Sequence, residues 1–241
     1  METAAIILAA GKGTRMKSDL HKVLHPIAGK PMLRHLIDAT RDFAPARTVV
    51  VVGAGRDQVE AAVAPLGVAI AHQAEQLGTG HAVLQAREAL AGFAGDVLIL
   101  YGDVPLVATA TMRAMIDRLH APDAPAVVVL AFRAADPAAY GRVIADAEGR
   151  IDRIVEYKDA SADERAVTLC NSGLMAARAS DLFDLLDHVG NDNAAGEYYL
   201  PDIVTIAAAD GRHSAMVEVA EAEVAGVNSR ADLAALELAW Q

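Results

Sequence analysis

The fold of this chain is decided by the stretch Leu8-Ala9-Ala10-Gly11-Lys12-Gly13-Thr14-Arg15-Met16, which continues the apolar run Ala4–Ala9. That run has the composition of a buried strand, and the glycines after it allow backbone N–H groups to surround an anion. Lys12 and Arg15 add positive charge, and Lys22 follows shortly after. The spacing matches neither G-x-x-x-x-G-K-S/T nor G-x-G-x-x-G. The stretch predicts a strand followed by a phosphate-binding loop; the alternative is an ordinary turn with solvated basic residues.

Short apolar runs alternate with helical patterns as far as Arg133. Nearly continuous apolar runs are typical of strands covered on both faces, as in a parallel sheet. Helices between such strands favour right-handed strand–helix–strand units. The sequence therefore predicts an α/β fold with a Rossmann-like doubly wound, mostly parallel sheet and helices on both faces. The predicted strands are Ala4–Ala9, Thr48–Val52, Val68–His72, Val97–Tyr101 and Ala126–Phe132, and the predicted helices are Pro31–Phe43, Gln58–Val63, Gly80–Ala91 and Thr109–Leu119.

Shorter elements are predicted after Arg133. No internal repeat or long Pro/Gly-rich linker separates domains, so we expect one domain over residues 1–241. Its nucleotide-binding half extends to about residue 133, its substrate-binding half covers about 134–230, and a C-terminal helix covers 228–241. The predicted elements are strands at Arg142–Ala145, Arg150–Glu156 and Thr168–Ala176, a helical stretch at Ser161–Arg165, a helix at Asp181–His188 capped by Ser180, and a helix from Asn228 to Trp240.

The composition excludes several classes of protein. Hydrophobic residues make up 54% of the 241 residues, which excludes a disordered chain. The net charge of −11 argues against a general nucleic-acid binder. The single cysteine, Cys170, cannot form an internal disulfide, no apolar run approaches the ~18–20 residues of a membrane span, and no basic residue precedes Lys12 as a signal peptide would require. We expect a cytoplasmic monomer with no nucleic-acid or membrane partner.

Eight motifs, in order along the chain, resemble those of one enzyme family. The loop Leu8–Met16, with Lys22-Val23-Leu24 and Gly29-Lys30-Pro31-Met32, is similar to that of sugar-phosphate nucleotidyltransferases. The further segments resemble the N-terminal uridylyltransferase domain of bacterial bifunctional N-acetylglucosamine-1-phosphate uridylyltransferase/glucosamine-1-phosphate acetyltransferases. These segments are Ala74 to Ala82, Tyr101 to Leu106, Tyr140 to Arg142, Glu156 to Ala160, Asn171 to Gly173, Gly196 to Tyr199 and Gly226 to Arg230.

The resemblance implies a nucleotide-diphospho-sugar transferase fold with a small β-rich, sugar-binding elaboration in the second half. It also implies transfer of a uridylyl group from UTP to N-acetylglucosamine 1-phosphate, giving UDP-N-acetylglucosamine and pyrophosphate, by Mg²⁺-dependent in-line attack on the α-phosphate. In that family the product feeds peptidoglycan and lipopolysaccharide synthesis. The family continues into a left-handed β-helix with the acetyltransferase site, whose hexapeptide repeats are absent here. We therefore expect no acetyltransferase activity and no trimer formed through that domain.

The resemblance assigns roles residue by residue. Arg15 and Lys22 are the implied catalytic residues, which would stabilise negative charge on the α-phosphate and on the leaving pyrophosphate. Asp103 and Asn228 are the implied Mg²⁺ ligands, and oxygen donors suit that ion. The implied nucleotide-binding residues are Leu8, Ala9, Ala10, Gly11, Lys12, Gly13, Gln73, Gln76, Gly78 and Thr79. The implied sugar-binding residues are Tyr101, Gly102, Gly141, Glu156, Asn171 and Tyr199.

Other interpretations stay open on the residues alone. Asp103, Asn228 and Thr79 have the side chains of helix caps, and Tyr101 and Tyr199 could serve packing only. The whole chain could transfer another nucleotide or use another hexose 1-phosphate, or it could be a non-catalytic nucleotide-sugar-binding domain. A dehydrogenase would require a G-x-G-x-x-G motif and an acidic residue at the end of the second strand, which the sequence lacks.

Overall fold

The computed structural model describes residues 1–240, which form an α/β fold around one mixed sheet. The strands are β1 (Thr3–Ala9), β2 (Pro26–Ile27), β3 (Lys30–Pro31), β4 (Arg47–Val52), β5 (Ala69–His72), β6 (Asp96–Tyr101), β7 (Val127–Arg133), β8 (Arg142–Ala145), β9 (Arg150–Val155), β10 (Leu169–Arg178) and β11 (Ser214–Val219). The helices are α1 (Met32–Phe43), α2 (Arg56–Val63), α3 (Thr79–Leu84), α4 (Thr109–Leu119), α5 (Ala162–Arg165), α6 (Ala179–Leu186), α7 (Asp202–Ala209) and α8 (Arg230–Trp240). Single-turn 3₁₀ helices at Thr14–Met16 and Lys22–Leu24 follow β1.

Within residues 1–240 the main sheet has nine strands in the order β5-β4-β1-β6-β10-β7-β11-β9-β8. Strands β5, β4, β1 and β6 are parallel neighbours, and β7 pairs in parallel with β11. Strand β10 runs antiparallel between β6 and β7, so the second half of the chain contributes a central strand to the sheet of the first half. The predicted doubly wound, mostly parallel sheet is confirmed, with β10 and β9 opposed to the other strands.

The core lies on both faces of the sheet. Ile6 and Val49 belong to one apolar cluster, and Ile7 and Val50 belong to the cluster on the opposite face. All seven residues of β1 are buried. Strands sandwiched in this way have no solvent-facing side, which is why their sequences are continuously apolar rather than alternating.

Two predicted elements differ from the structure. The helix expected over Gly80–Ala91 ends at Leu84, because the chain then tightens into turns, such as that closed by the Arg87 N–H to Leu84 carbonyl bond of 3.1 Å. Ser180 is not an N-cap: α6 begins at Ala179, with Arg178 at the N-cap position. Strand β11 was not predicted, because Ser214 and Glu218 interrupt its apolar pattern.

The remaining predicted elements agree with the structure to within a few residues at their ends. Across residues 1–240, no helix combines the length and the apolarity that crossing a membrane requires.

Candidate active site

The glycine loop adopts a conformation that holds it against Lys22. Gly13 has a φ of 58°, in the left-handed region that favours glycine. A Cβ on Gly13 would lie 2.6 Å from the Cβ of Lys22, much closer than atoms in contact. Gly13 therefore lets the loop pack directly on the base of the Lys22 side chain.

Four side chains distant in sequence form one polar cluster. The Lys22 ammonium donates to Oδ2 of Asp103 and lies 3.3 Å from Oδ1 of Asn228. The guanidinium Nη2 of Arg15 donates to the same Asn228 oxygen at 2.9 Å. The fold thus brings together all four residues predicted to be catalytic or metal-binding.

The backbone fixes the two oxygen-bearing residues of this cluster relative to each other. Asp103 follows the carboxyl end of β6, where open α/β sheets bind ligands. The Val227 N–H donates to the Asp103 carbonyl at 2.9 Å, which places Asn228 beside Asp103. Both side-chain oxygens face the Lys22 ammonium, so they converge on a point that already accommodates a cation. Carboxylate and amide oxygens at one point fit the ligand preference of Mg²⁺.

A cavity of about 270 Å³ lies at the carboxyl ends of β1 and β6 and is lined by most of the predicted nucleotide-binding residues. Gly13 and Lys12 are not among its lining residues. The cavity also reaches Lys22 and Asp103, so it connects with the polar cluster. The predicted nucleotide-binding residues that line it are Leu8, Ala9, Ala10, Gly11, Gln73, Gln76, Gly78 and Thr79.

The far wall of this cavity is a tight loop of glutamines and glycine. The side-chain amide of Gln73 donates to the Gly78 carbonyl at 3.0 Å, and that of Gln76 donates to the Gln73 carbonyl at 3.2 Å. Gly78 has a φ of 116°, and a Cβ there would lie 2.5 Å from the Tyr198 carbonyl oxygen. The loop therefore needs glycine both for its conformation and for its packing, and it presents two amide side chains to the cavity.

A second cavity of about 300 Å³ is lined by five of the six predicted sugar-binding residues: Tyr101, Gly141, Glu156, Asn171 and Tyr199. Gly102 does not line it. A Cβ on Gly102 would lie 3.2 Å from the Leu8 carbonyl oxygen, so this glycine allows β6 to pass close to β1.

Hydrogen bonds and close packing shape this second cavity. The amide oxygen of Asn171 accepts from the Gly173 N–H at 2.9 Å, which orients the side chain and leaves its NH₂ group as a donor. A Cβ on Gly141 would lie 3.1 Å from Oε1 of Glu156, so glycine gives that carboxylate room. Burial raises the pKa of Glu156, and the nearby carboxylates of Asp202, Asp159 and Glu197 raise it further.

The two cavities adjoin, because Thr79, Tyr101 and Glu197 line both. Thr79 is fixed by accepting the Leu200 N–H at 2.9 Å through its hydroxyl oxygen. Burial of Tyr101 raises the pKa of its phenol, so the ring is neutral at physiological pH. The arrangement is one continuous cleft, with the residues predicted to bind the nucleotide along one cavity and those predicted to bind the sugar along the other.

Sequence reasoning left out several residues of the cleft. Glu197 lines both cavities, and its signal was present in the Gly196-Glu197-Tyr198-Tyr199 motif. Asp202 contributes through charge: burial raises its pKa to about 6, with a further contribution from Asp159. Nothing in the local sequence marks Asp202, because its surroundings come from separate segments.

The family model described as a MobA-like NTP transferase domain matches residues 5–167, more than half of the chain. The chain belongs to the MobA-like NTP transferase family. NTP transferases of this family typically use a divalent metal ion.

Curated relatives share high identity with the whole chain. The "Bifunctional protein GlmU" of Rhizorhabdus wittichii is 67% identical over 238 residues, covering 99% of this chain and 53% of the relative. The "Bifunctional protein GlmU" of Zymomonas mobilis is 55% identical over 240 residues, covering 99% of this chain and 53% of the relative. The chain thus spans about half the length of the curated relatives it matches.

Solved structures share the fold at low identity. A UDP-glucose pyrophosphorylase complexed with UDP-glucose superposes with a TM-score of 0.74 at 18% identity, covering 100% of this chain and 98% of that one. A CMP:2-keto-3-deoxy-manno-octonic acid synthetase complexed with CTP gives a TM-score of 0.70 at 20% identity, covering 100% and 98%. The nucleotide-diphospho-sugar transferase fold predicted from the sequence is confirmed.

Proposed function

We propose that this chain transfers the uridylyl group of UTP to N-acetylglucosamine 1-phosphate, releasing pyrophosphate and UDP-N-acetylglucosamine. The observation that carries the proposal is a pair of adjoining cavities, the first of which reaches Lys22 and Asp103 of the cluster that also includes Arg15 and Asn228. In this reaction an oxygen of the sugar phosphate attacks the α-phosphorus, and the bond from that phosphorus to the β-phosphate oxygen breaks. Both substrates must therefore meet at one charged point between two binding regions.

The cluster suits the charge that develops during such a transfer. Negative charge increases on the α-phosphate oxygens and on the leaving pyrophosphate, and fixed cations there stabilise the transition state. The Lys22 ammonium lies in the nucleotide cavity, and the Arg15 guanidinium lies beside it, at the shared Asn228 oxygen. We assign Lys22 to the α-phosphate and Arg15 to the phosphates that depart, with the Gly11–Gly13 backbone alongside.

Asp103 and Asn228 would hold Mg²⁺, because their oxygens converge on one point beside Lys22. Bound there, the ion would supply positive charge to the phosphates of the nucleotide. Lys22 would then exchange part of its contact with Asp103 for a phosphate oxygen.

The glutamine loop suits a pyrimidine base. A uracil edge presents carbonyl oxygens and an N–H, and a primary amide can both donate and accept. Gln73 and Gln76 face the cavity, while Gly78 allows the base to approach backbone. We propose that Gln76 is the main reader of the base, because Gln73 is engaged with both the Gly78 carbonyl and Nδ1 of His81.

The second cavity suits a neutral, hydroxylated sugar. Glu156 can accept hydrogen bonds from hydroxyls, the NH₂ group of Asn171 can donate to an acetyl carbonyl, and Gly141 lines the cavity with backbone atoms. We propose that the chain carries out this reaction as a monomer, because its two adjoining cavities supply residues for both substrates.

The direct test is product analysis. Purified chain is incubated with Mg²⁺, N-acetylglucosamine 1-phosphate and each of UTP, CTP, ATP and GTP, and the products are identified by mass spectrometry. We expect UDP-N-acetylglucosamine from UTP and little product from the purine nucleotides, because the Gln76 amide is proposed to pair with a uracil edge. Efficient use of ATP or GTP would contradict the assignment of the base site.

A further inference from the structure

The C-terminal helix α8 makes contacts that the proposed function leaves unexplained. Its first residue, Arg230, donates from Nε to the Met16 carbonyl at 3.0 Å and from Nη2 to the Lys17 carbonyl at 3.2 Å. These carbonyls belong to the two residues that follow Arg15. Arg230, more than two hundred positions away in sequence, thus holds the turn that contains Arg15, one of the proposed catalytic residues.

The turn gripped by Arg230 has little support of its own. It is a single 3₁₀ turn, Thr14–Met16, bounded by left-handed residues, Gly13 with a φ of 58° and Lys17 with a φ of 47°. Lys17 is not glycine, so its conformation carries backbone strain that must be held by neighbouring contacts. Arg15 and Lys17 are both exposed to solvent. A short, strained and exposed turn would open readily unless something secured it.

The same helix also fixes Asn228, the partner of Arg15. The carboxylate of Asp232 accepts from the backbone N–H groups of Asn228 at 2.9 Å and Ser229 at 2.8 Å. In turn, the hydroxyl oxygen of Ser229 accepts a hydrogen bond from the Asp232 N–H at 3.2 Å. This reciprocal cap holds Asn228 at the start of α8.

A small apolar core joins the two sides. Met16, next to Arg15, is 1% exposed, and Val227, next to Asn228, is also 1% exposed. Both pack in one cluster with Leu236 of α8, separate from the two main cores. The direct neighbours of the two site residues are therefore anchored in a core that α8 closes.

We propose that Arg230 is a positioning residue, which locks the Thr14–Met16 turn onto α8 and thereby holds Arg15 in register with Asn228 and Lys22. The expected effect of Arg230 on kcat rests on the proposed function. The expected effect of Arg230 on the Thr14–Met16 turn does not. Arg230 acts through geometry: its planar guanidinium reaches two successive carbonyls, which a lysine ammonium cannot do in the same way.

The test compares Arg230→Ala and Arg230→Lys with Arg113→Ala. Arg113 is a matched control, because it is also exposed and donates from Nη2 to a backbone carbonyl, that of Asp42, at 3.1 Å. One readout uses no substrate and no metal: the rate of tryptic cleavage after Arg15 and Lys17, followed by mass spectrometry. The other is the steady-state kinetics of pyrophosphate release, and urea unfolding confirms that each variant is folded.

We expect faster cleavage at the turn in both Arg230 variants and unchanged cleavage in Arg113→Ala. We expect kcat to fall about 10- to 100-fold in both Arg230 variants, as for a displaced catalytic group, with the KM for the sugar phosphate unchanged. Wild-type cleavage rates in Arg230→Ala would overturn the proposal. Full kcat in Arg230→Lys would also overturn it, since charge alone would then suffice. If the wild-type chain shows no turnover, the proposed function fails, and the cleavage rates alone decide whether Arg230 holds the turn.

Discussion

Replacing Gly13 with alanine tests whether the glycine loop positions Lys22. The new Cβ would lie 2.6 Å from the Lys22 Cβ, about 1 Å short of a normal carbon–carbon contact. The Lys22 Cβ is the fixed base of that side chain, so either the loop or the Lys22 backbone must move. A displacement of about 1 Å at a catalytic group costs on the order of 100-fold in rate. The left-handed φ adds about 1–2 kcal/mol of lost stability.

Gly67→Ala separates these two effects. Gly67 has a φ of 67°, close to that of Gly13, but a Cβ there meets nothing within 4 Å. Gly67→Ala should lose about 1–2 kcal/mol in urea unfolding, because alanine is forced into the left-handed region, and Gly13→Ala should lose at least as much, because the contact with Lys22 adds to that cost. Only Gly13→Ala should lose kcat for pyrophosphate release, by about 100-fold. Equal kcat in the two variants would refute the claim that this glycine positions Lys22.

Three further predictions concern the polar cluster and the acidic side of the cleft. Asp103→Ala should abolish Mg²⁺-dependent turnover, because it removes the carboxylate oxygen proposed to hold the ion; turnover retained across a Mg²⁺ titration would exclude Asp103 as a ligand. Arg15→Ala should lower kcat more than it raises the KM for the sugar phosphate, because Arg15 acts on developing charge; a change confined to KM would place it in ground-state binding instead. Asp202→Asn should change how stability depends on pH. The pKa of Asp202 is raised to about 6 in the folded state, so its carboxyl holds an extra proton between about pH 4 and 6, and the contribution of Asp202 to the unfolding free energy falls as pH rises through this range. The melting temperature of Asp202→Asn relative to wild type should therefore increase from pH 4 to pH 7, and a constant difference would show that Asp202 titrates normally.

The sheet of the first half could be predicted from the sequence because its strands are buried on both faces. Val97–Tyr101 and Ala126–Phe132 are apolar throughout, and each becomes a central strand. Strand β11 was missed for the opposite reason: it pairs with β7 and β9 but keeps Glu218 exposed to solvent, where the residue meets Arg133 in an ion pair. Its pairing depends on long-range contacts that no local pattern reveals.

The residues of the candidate site could be predicted only where they belong to a recognisable sequence motif. Asp103 and Asn228 are 125 positions apart, and the Val227 to Asp103 backbone bond that joins them has no local trace in the sequence. The residues that hold the site were missed for the same reason. Arg230 lies within a quoted motif, yet only the fold shows that its guanidinium reaches the carbonyls of Met16 and Lys17. Contacts of this kind depend on where the fold places the C-terminal segment relative to the loop that follows β1.

The acidic surroundings of Glu156 are also a product of the fold. Asp159 and Asp202 come from different segments and act on one carboxylate through charge and burial. The resemblance predicts Glu156 as a sugar contact, but the sequence gave no indication that its pKa is raised.

The most direct test of the proposed reaction is sugar selectivity. Pyrophosphate release from UTP and Mg²⁺ is measured with N-acetylglucosamine 1-phosphate, glucose 1-phosphate and glucosamine 1-phosphate, and kcat/KM is compared. The NH₂ donor of Asn171, which an acetyl carbonyl can accept, predicts the highest kcat/KM with the N-acetylated sugar. Higher kcat/KM with glucose 1-phosphate or glucosamine 1-phosphate would contradict the assigned substrate while keeping the chemistry. No release with any of the three, from folded chain that binds UTP, would contradict the proposed activity itself.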